Sequence, residues 1–499
     1  MTSQLGPLLA LRWRMVRSPR ARRGFLALGV TTPLLALLAA AAGRIAPDGA
    51  RSEVTLLAPT ALIPMAVLAV LAPLVAGGGN ELFPDDHLAA YPVSSRTLYA
   101  ASLVLTPLNL AWVTQVIGLV GLAAFIAERG ELVVLPVLTF LAYVVLVTVA
   151  GQAAGWWLTG VRQHRAGRVI TWAAAAALGL GGVLMVSTGR LGVVLDNTPT
   201  TPVIVGALNG SEGNWRPWIL TTGVLLALSV LAYLVGARAC DWALRQPGDA
   251  TRRSETLRVT FRHRGGSARA QLLATDRASV WRSPSLRRGL LVLGILPGLV
   301  AAAAGLDWTS LVLLPALVAA GAGLLFGVNV FCLDGSGAVW LASNPGAAAT
   351  LFWCKAQVVA EGGLVAIAAT VAAGSLRADR APTAGEAAAI LACAATTLLL
   401  VLATCMRLSV DRPHRADLRG PRDTPAPPGA MAAYSVRLAV SATLTGMLFS
   451  ALSGLSDWRW AAALALPLGL LSLRRLLSSA RKWSDPAVRS RVVATVASG

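Results

Sequence analysis

The chain has 499 residues, of which 56% are hydrophobic and only 13% charged, and its formal net charge is +20. That is about half the charged fraction of an ordinary soluble domain, too little polar surface for a water-soluble fold of this length. The excess of Lys and Arg would suit nucleic acid, but its placement along the chain points elsewhere.

Twelve apolar runs are long enough to cross a roughly 30 Å hydrocarbon core at about 1.5 Å per residue. They cover 24–43, 56–76, 99–127, 132–158, 168–188, 218–238, 288–305, 308–327, 349–374, 384–406, 432–453 and 458–477. The pairs 99–127/132–158 and 288–305/308–327 have short connections and read as helical hairpins. With the N-terminus in the cytoplasm, only 8 of the 43 Lys and Arg fall on the outer side, and the other 35 fall inside. This asymmetry is the positive-inside rule, with both termini cytoplasmic. The charge therefore records membrane orientation, and no nucleic-acid partner is expected. The expected fold is an all-α polytopic membrane protein.

Residues 5–23, LGPLLALRWRMVRSPRARR, mix Leu and Trp with Arg and break at Pro19. They predict an amphipathic helix on the inner membrane surface, with Arg12 and Arg17 toward anionic headgroups. The Arg-rich start and LLAAAAG resemble a cleavable signal peptide. The apolar run is longer than a signal core, however, and residues 1–24 have an internal copy, so a retained first span is expected. Between the second and third spans lies GNELFPDDHLAAYPVSSRTLYAAS, 79–102, a polar stretch with two adjacent carboxylates. The segment 189–217, with TPTTP and NGSEGNW, reads as a short helix, a lid or an irregular connector.

The second half repeats the first. At a shift of 265 residues, Arg12 falls on Arg277 and RSP (17–19) on RSP (282–284), so Arg282 and Pro284 belong to a second surface helix. At a shift of 253, the 79–102 stretch falls on CLDGSGAVWLASNPGAAATLFWCK, 332–355, with Glu81 on Asp334 and Pro92 on Pro345. VRQHRA (161–166) matches DRPHRA (411–416) at 250, and Arg216 and Arg238 match Arg459 and Arg481 at 243. Ordered landmarks with a drifting offset indicate tandem duplication. Residues 1–238 form the first half, 239–267 a basic linker and 268–499 the second half. Six spans per half is an even number, so the 6+6 repeat is parallel.

The chemistry that is missing narrows the function. A P-loop needs Gly-Lys-Ser/Thr. The two lysines, Lys355 and Lys482, follow Cys354 and Arg481. No HExxH or GxSxG stands in a context for catalysis, and the five cysteines have no metal or redox spacing. No cofactor site and no enzymatic activity are expected in this chain. Charge within the spans is nearly confined to Glu361, which is either a pathway residue or an interfacial one paired with a neighbour such as Lys355. Gly294/Gly298 and Gly323/Gly327 have the small-xxx-small spacing that permits close helix packing.

These features together resemble the membrane permease subunit of an ABC-type exporter of the type-2 class, in the large form with two fused six-span halves. The likeness rests on the surface helix before each half and on the polar loop after its second span. In the second half LDGSGAVWLASNPGAAATLFWCK is similar to the family's Leu-Asp-Gly, then a small residue and Pro, then Lys, matched by Leu333, Asp334, Gly335, Pro345 and Lys355. LSVDRP (408–413) resembles the short stretch after the fourth span. The first copy has Glu81–Leu82 for Asp–Gly and Ser102 for Lys, while YPVSSRTLY (91–99) follows a common loop pattern. The resemblance implies that both loops couple the spans to a separate ATP-binding subunit, in two copies, which holds the ATP and Mg²⁺. Glu81, Asp85, Asp86, Tyr91, Pro92 and Arg96 would serve in the first loop. In the second, Asp334, Gly335, Asn344, Pro345 and Lys355 would serve. Few fixed charges in the spans suit a hydrophobic or amphipathic substrate: a drug, antibiotic, lipid or peptide. Besides that substrate and the ATP-binding subunit, membrane lipid is an expected partner, and the bacterial plasma membrane is the expected location. The rival readings are a secondary transporter of the major facilitator type, whose charged second loop is lacking here, and a membrane-embedded transferase or assembly protein.

Overall fold

The computed structural model describes Thr55, Ala58, Pro59, Leu62, Ile63, Ala66 and residues 94–105, 110–127, 132–163, 167–188, 190, 199–245, 267–303, 305–325, 327–343, 347–416, 425–455 and 457–497. Among the described residues every regular element is helical. In chain order these are α1 (Ser95–Leu105), α2 (Leu110–Ile126), α3 (Val134–Gln163), α4 (Gly167–Ser187), α5 (Thr201–Glu212) and α6 (Trp215–Arg245). There follow α7 (Ala268–Arg282), α8 (Pro284–Ala303), α9 (Trp308–Leu311), α10 (Leu313–Leu325), α11 (Gly337–Ala342), α12 (Ala347–Gly374), α13 (Ala384–Asp411), α14 (Pro428–Ser453), α15 (Arg459–Ser484) and α16 (Pro486–Ala497).

Among the described residues seven stretches are long and apolar enough to cross a membrane: Val134–Val161, Trp215–Arg245, Trp308–Asp334, Ala348–Arg377, Ala384–Asp411, Ala433–Ser453 and Arg459–Ser484. Each overlaps a run expected from the sequence. An eighth is a bent pair, Ala268–Arg282 with Leu286–Ala302, whose second arm overlaps 288–305. These helices make the chain a multi-pass membrane protein. The expected run 168–188 is helical as α4. The run 99–127 is described as α1 and α2, and residues 106–109 between them, with Pro107, are outside the described residues. So are 24–43 and most of 56–76.

The chain divides into two compact units, residues 1–181 with 190–258, and 182–189 with 259–499. In the first, α3 and α6 lie along each other, joined by a buried Thr139–Thr222 hydroxyl bond of 3.1 Å. Phe140, Tyr143, Val144 and Leu225 form the core with Val203 and Ile204 of α5. The 189–217 segment thus contains a packed 12-residue helix. Its stop is local: Gly213 takes φ 85° and donates to the carbonyl of Gly210, a left-handed cap that a side chain would strain.

In the second unit, α10, α13 and α14 share a core that includes Ala316, Val401, Cys405, Leu438, Ala442 and Phe449. The arms of α7 and α8 meet at 79°. Ser283 is extended (φ −72°, ψ 111°) because a residue before proline avoids the helical region, and Pro284 then starts α8 without needing an N–H donor. Further along, α8 meets α12 at its glycines. The Thr370 hydroxyl donates to the Gly294 carbonyl at 2.8 Å. A Cβ at Gly298 would lie 2.2 Å from the Thr370 carbonyl oxygen. Gly298→Leu is therefore expected to push α8 from α12 and destabilise the unit by about 3 kcal/mol or more. Thermal unfolding in detergent reads this, and an unchanged midpoint would contradict the contact.

Candidate functional site

The connection from α10 to α12 is built from an interrupted span. After Leu325 the chain continues as a tighter helical segment, Gly327–Asp334, broken at Asn329 (φ −151°, ψ 59°). Such a break inside a membrane needs side chains to satisfy the freed backbone. Ser409 Oγ donates to the Gly327 carbonyl (3.1 Å) and accepts from the Val330 N–H (3.0 Å). Asn329 Nδ2 donates to the carbonyls of His414 (2.7 Å) and Pro425 (2.6 Å). Beside this knot His414 contacts the Tyr434 hydroxyl at 3.1 Å, and burial, with the Arg412 charge, holds its pKa below the usual imidazole value.

Gly335 then turns the chain at φ 49°, and the six residues of α11 follow. Ala338 of α11 is buried, while Val339 and Trp340 are 53% and 82% exposed. The site is held at its base by Lys355, about two turns into α12 and 1% exposed. Lys355 Nζ lies 2.5 Å from Asp334 Oδ1 and 2.6 Å from Asp276 Oδ1. Three elements meet there: the end of the interrupted span, the surface-type helix α7 and the span α12. A buried ammonium is tolerated only with such partners. The carboxylate side chains of Asp276 and Asp334 are 4% and 8% exposed, and among the described residues Asp276 Oδ2 has no hydrogen-bond partner.

Nearly two turns beyond Lys355 a second link joins the same two helices. Arg277 Nε and Nη2 donate to the two oxygens of Glu361 at 2.8 and 2.6 Å, and Gln357 Nε2 adds a bond of 2.9 Å. Glu361 thus pairs with Arg277, not with Lys355 as the sequence suggested. Six residues of helix rotate about 600°, so Lys355 and Glu361 leave α12 in different directions, whereas Gln357 at four residues shares the face of Glu361.

The C-terminal part closes the far side of the connection. Trp483 of α15 is 1% exposed and stacks on Phe331 with ring centres 4.2 Å apart and planes 6° apart. Its Nε1–H donates to the Ala348 carbonyl at 2.8 Å, near the start of α12. Val492 and Val496 of α16 are buried in the same cluster as Ala338. A cavity of ≈ 130 Å³ remains between them, lined in part by Asp334, Leu341 and Arg489.

No family model, curated protein or solved structure matches this chain.

The expected site residues fall out as follows. Asp334, Gly335 and Lys355 come together. Asp276, which the sequence reading missed, completes the group. Arg277 is in the neighbouring link, and Arg282 is exposed in the last turn of α7, with Pro284 opening α8. Arg96 is exposed on α1, and the neighbouring Ser95 hydroxyl donates to Asp241 Oδ1 at 3.1 Å. Ser102, aligned with Lys355, is buried and donates to the Tyr99 carbonyl at 2.7 Å. Arg12, Arg17, Pro19, Glu81, Asp85, Asp86, Tyr91, Pro92, Asn344 and Pro345 lie outside the described residues. All five cysteines are buried free thiols. Among the described residues no group of three His, Cys, Asp or Glu is arranged for a metal ion. The site is an electrostatic and aromatic tie that joins a short exposed helix to two spans and to α7.

Proposed function

We propose that the chain is the membrane permease of an ATP-driven exporter of the type-2 ABC class, with twelve spans in a parallel 6+6 repeat and both termini in the cytoplasm. Two copies of a separate ATP-binding subunit supply the energy. The cargo is hydrophobic or amphipathic, and it leaves across the bacterial plasma membrane. The observation that carries this reading is α11. A six-residue helix between two candidate spans presents Val339 and Trp340 outward, while Asp334 and Lys355 fix its base. A short helix anchored in this way transmits a push from a docked subunit into both spans as a rigid body. The exposed indole is the kind of anchor that dominates protein interfaces.

The test is co-expression with a candidate ATP-binding subunit of the same exporter class. Val339→Asp with Trp340→Asp is expected to lower retention of that subunit by at least about tenfold, the scale of one interface hot spot, with membrane insertion unchanged. Asp85→Ala with Asp86→Ala, in the first loop, should lower stimulated ATP hydrolysis. Wild-type retention and stimulation in both variants would remove the coupling assignment. Proton-driven uptake by the purified chain alone would replace it with a secondary transporter.

A further inference from the structure

Away from α11, the second unit carries a groove of ≈ 520 Å³ between α7, α12 and α13. Ala356, Ala360 and Leu402 give it apolar walls, Trp353 adds a half-exposed indole, and Arg269 and Gln357 supply its polar lining. The charges around it are accounted for unequally. Arg277 is taken up by both oxygens of Glu361, and Lys355 by Asp276 and Asp334. Arg269 Nη2 meets only the neutral Gln357 Oε1, at 3.2 Å, and among the described residues no carboxylate pairs with it. Gln357 in turn is held by Glu361, so the guanidinium is positioned without being neutralised.

We propose that this groove binds an anionic phospholipid, with the phosphate on Arg269 and the first part of an acyl chain along Ala356, Ala360 and Leu402. The ligand must offer an anion and an apolar chain side by side. A free phosphate uses the cation and leaves the walls bare. A neutral apolar molecule uses the walls and leaves Arg269 uncompensated. The setting supplies such a ligand: α7 meets the apolar arm Leu286–Ala302 at 79°, so it turns away from a span at the depth where headgroups lie. A half-exposed tryptophan beside the groove fits the same depth.

The experiment uses the full chain reconstituted in vesicles of equal parts dioleoylphosphatidylglycerol and dioleoylphosphatidylcholine, extracted in mild detergent and weighed by native mass spectrometry. Wild-type protein is expected to retain the phosphatidylglycerol in preference. Arg269→Ala should lower that retention on the order of tenfold, the scale of one charge-assisted contact. Arg481→Ala removes the same charge from the exposed surface of α15 and should leave retention unchanged. Ala360→Phe fills the groove and should lower retention with Arg269 intact. Equal retention of both lipids, or equal losses in Arg269→Ala and Arg481→Ala, would overturn the proposal. So would displacement of the bound lipid by millimolar inorganic phosphate, which would mark an anion site without a lipid. None of these outcomes depends on an ATP-binding subunit.

Discussion

Lys355→Met is expected to lower the stability of the second unit by about 3–5 kcal/mol, because it leaves two carboxylates buried with no counter-charge. Lys355 is 1% exposed, and Asp276 and Asp334 are its partners at 2.6 and 2.5 Å. Solvent compensates these carboxylates only in small part, because little of either side chain is exposed. The same physics predicts a rescue. Lys355→Met combined with Asp276→Leu and Asp334→Leu removes all three charges and should recover most of the loss, since buried ion groups replaced by apolar ones are often close to neutral in stability. The buried thiols Cys332 and Cys354 flank the tie and provide the readout, as the midpoint at which a thiol-reactive dye begins to label on heating. A single variant with the wild-type midpoint would show that Lys355 is not paired. A triple variant as weak as the single one would show that the carboxylates are not what makes the loss.

Trp483→Ala is the second large loss, about 3–5 kcal/mol for an aromatic side chain deleted from a core. It removes the stack on Phe331 and the bond to the Ala348 carbonyl together. Trp483→Phe separates the two. It keeps a ring on Phe331, loses the bond to the Ala348 carbonyl while that carbonyl keeps its place in the α12 hydrogen-bond ladder, and should cost about 1 kcal/mol. Because Trp483, Val492 and Val496 share one cluster with Ala338, the alanine variant should also loosen α11. Amide exchange over 337–342 is expected to accelerate in Trp483→Ala and to stay near wild type in Trp483→Phe. Unchanged exchange in both would mean that the C-terminal part does not support α11.

Helix positions were legible in the sequence because the hydrocarbon core imposes a length, and the apolar runs from 132 onward record it directly. The bend before α8 was legible too, since Ser283–Pro284 is a local signal. The helix α5 was left open against an irregular connector, because it is short and its apolar face is covered by α3 and α6, a tertiary effect. Asp334 entered first through the internal repeat, but Asp334, Gly335 and Lys355 were grouped only through a family resemblance; their spacing alone gave no reason to join them. Asp276 gave no signal at all. It sits among arginines on α7, 79 residues before Lys355, and only the crossing of α7 with α12 turns a surface-type acid into a buried partner. The partner of Glu361 was not legible, because Lys355 was offered as the neighbour by proximity along the chain, without helical rotation, and Arg277 lies on another helix.

The knot at Asn329 has a consequence for how the protein is made. Every group that satisfies the broken span is synthesised later: Ser409 follows Val330 by 79 residues, and the His414 and Pro425 carbonyls follow Asn329 by 85 and 96. At about 5–20 residues per second, that gap is roughly 4–20 s of translation. For that interval the newly inserted segment 327–334 lacks these partners, and it acquires its native turn only when the Ser409 helix docks beside it. A nascent chain arrested before residue 425 should therefore hold this span in the bilayer while the α11 connection is still unset. Assembly order, and not local sequence, then fixes when the chain becomes competent.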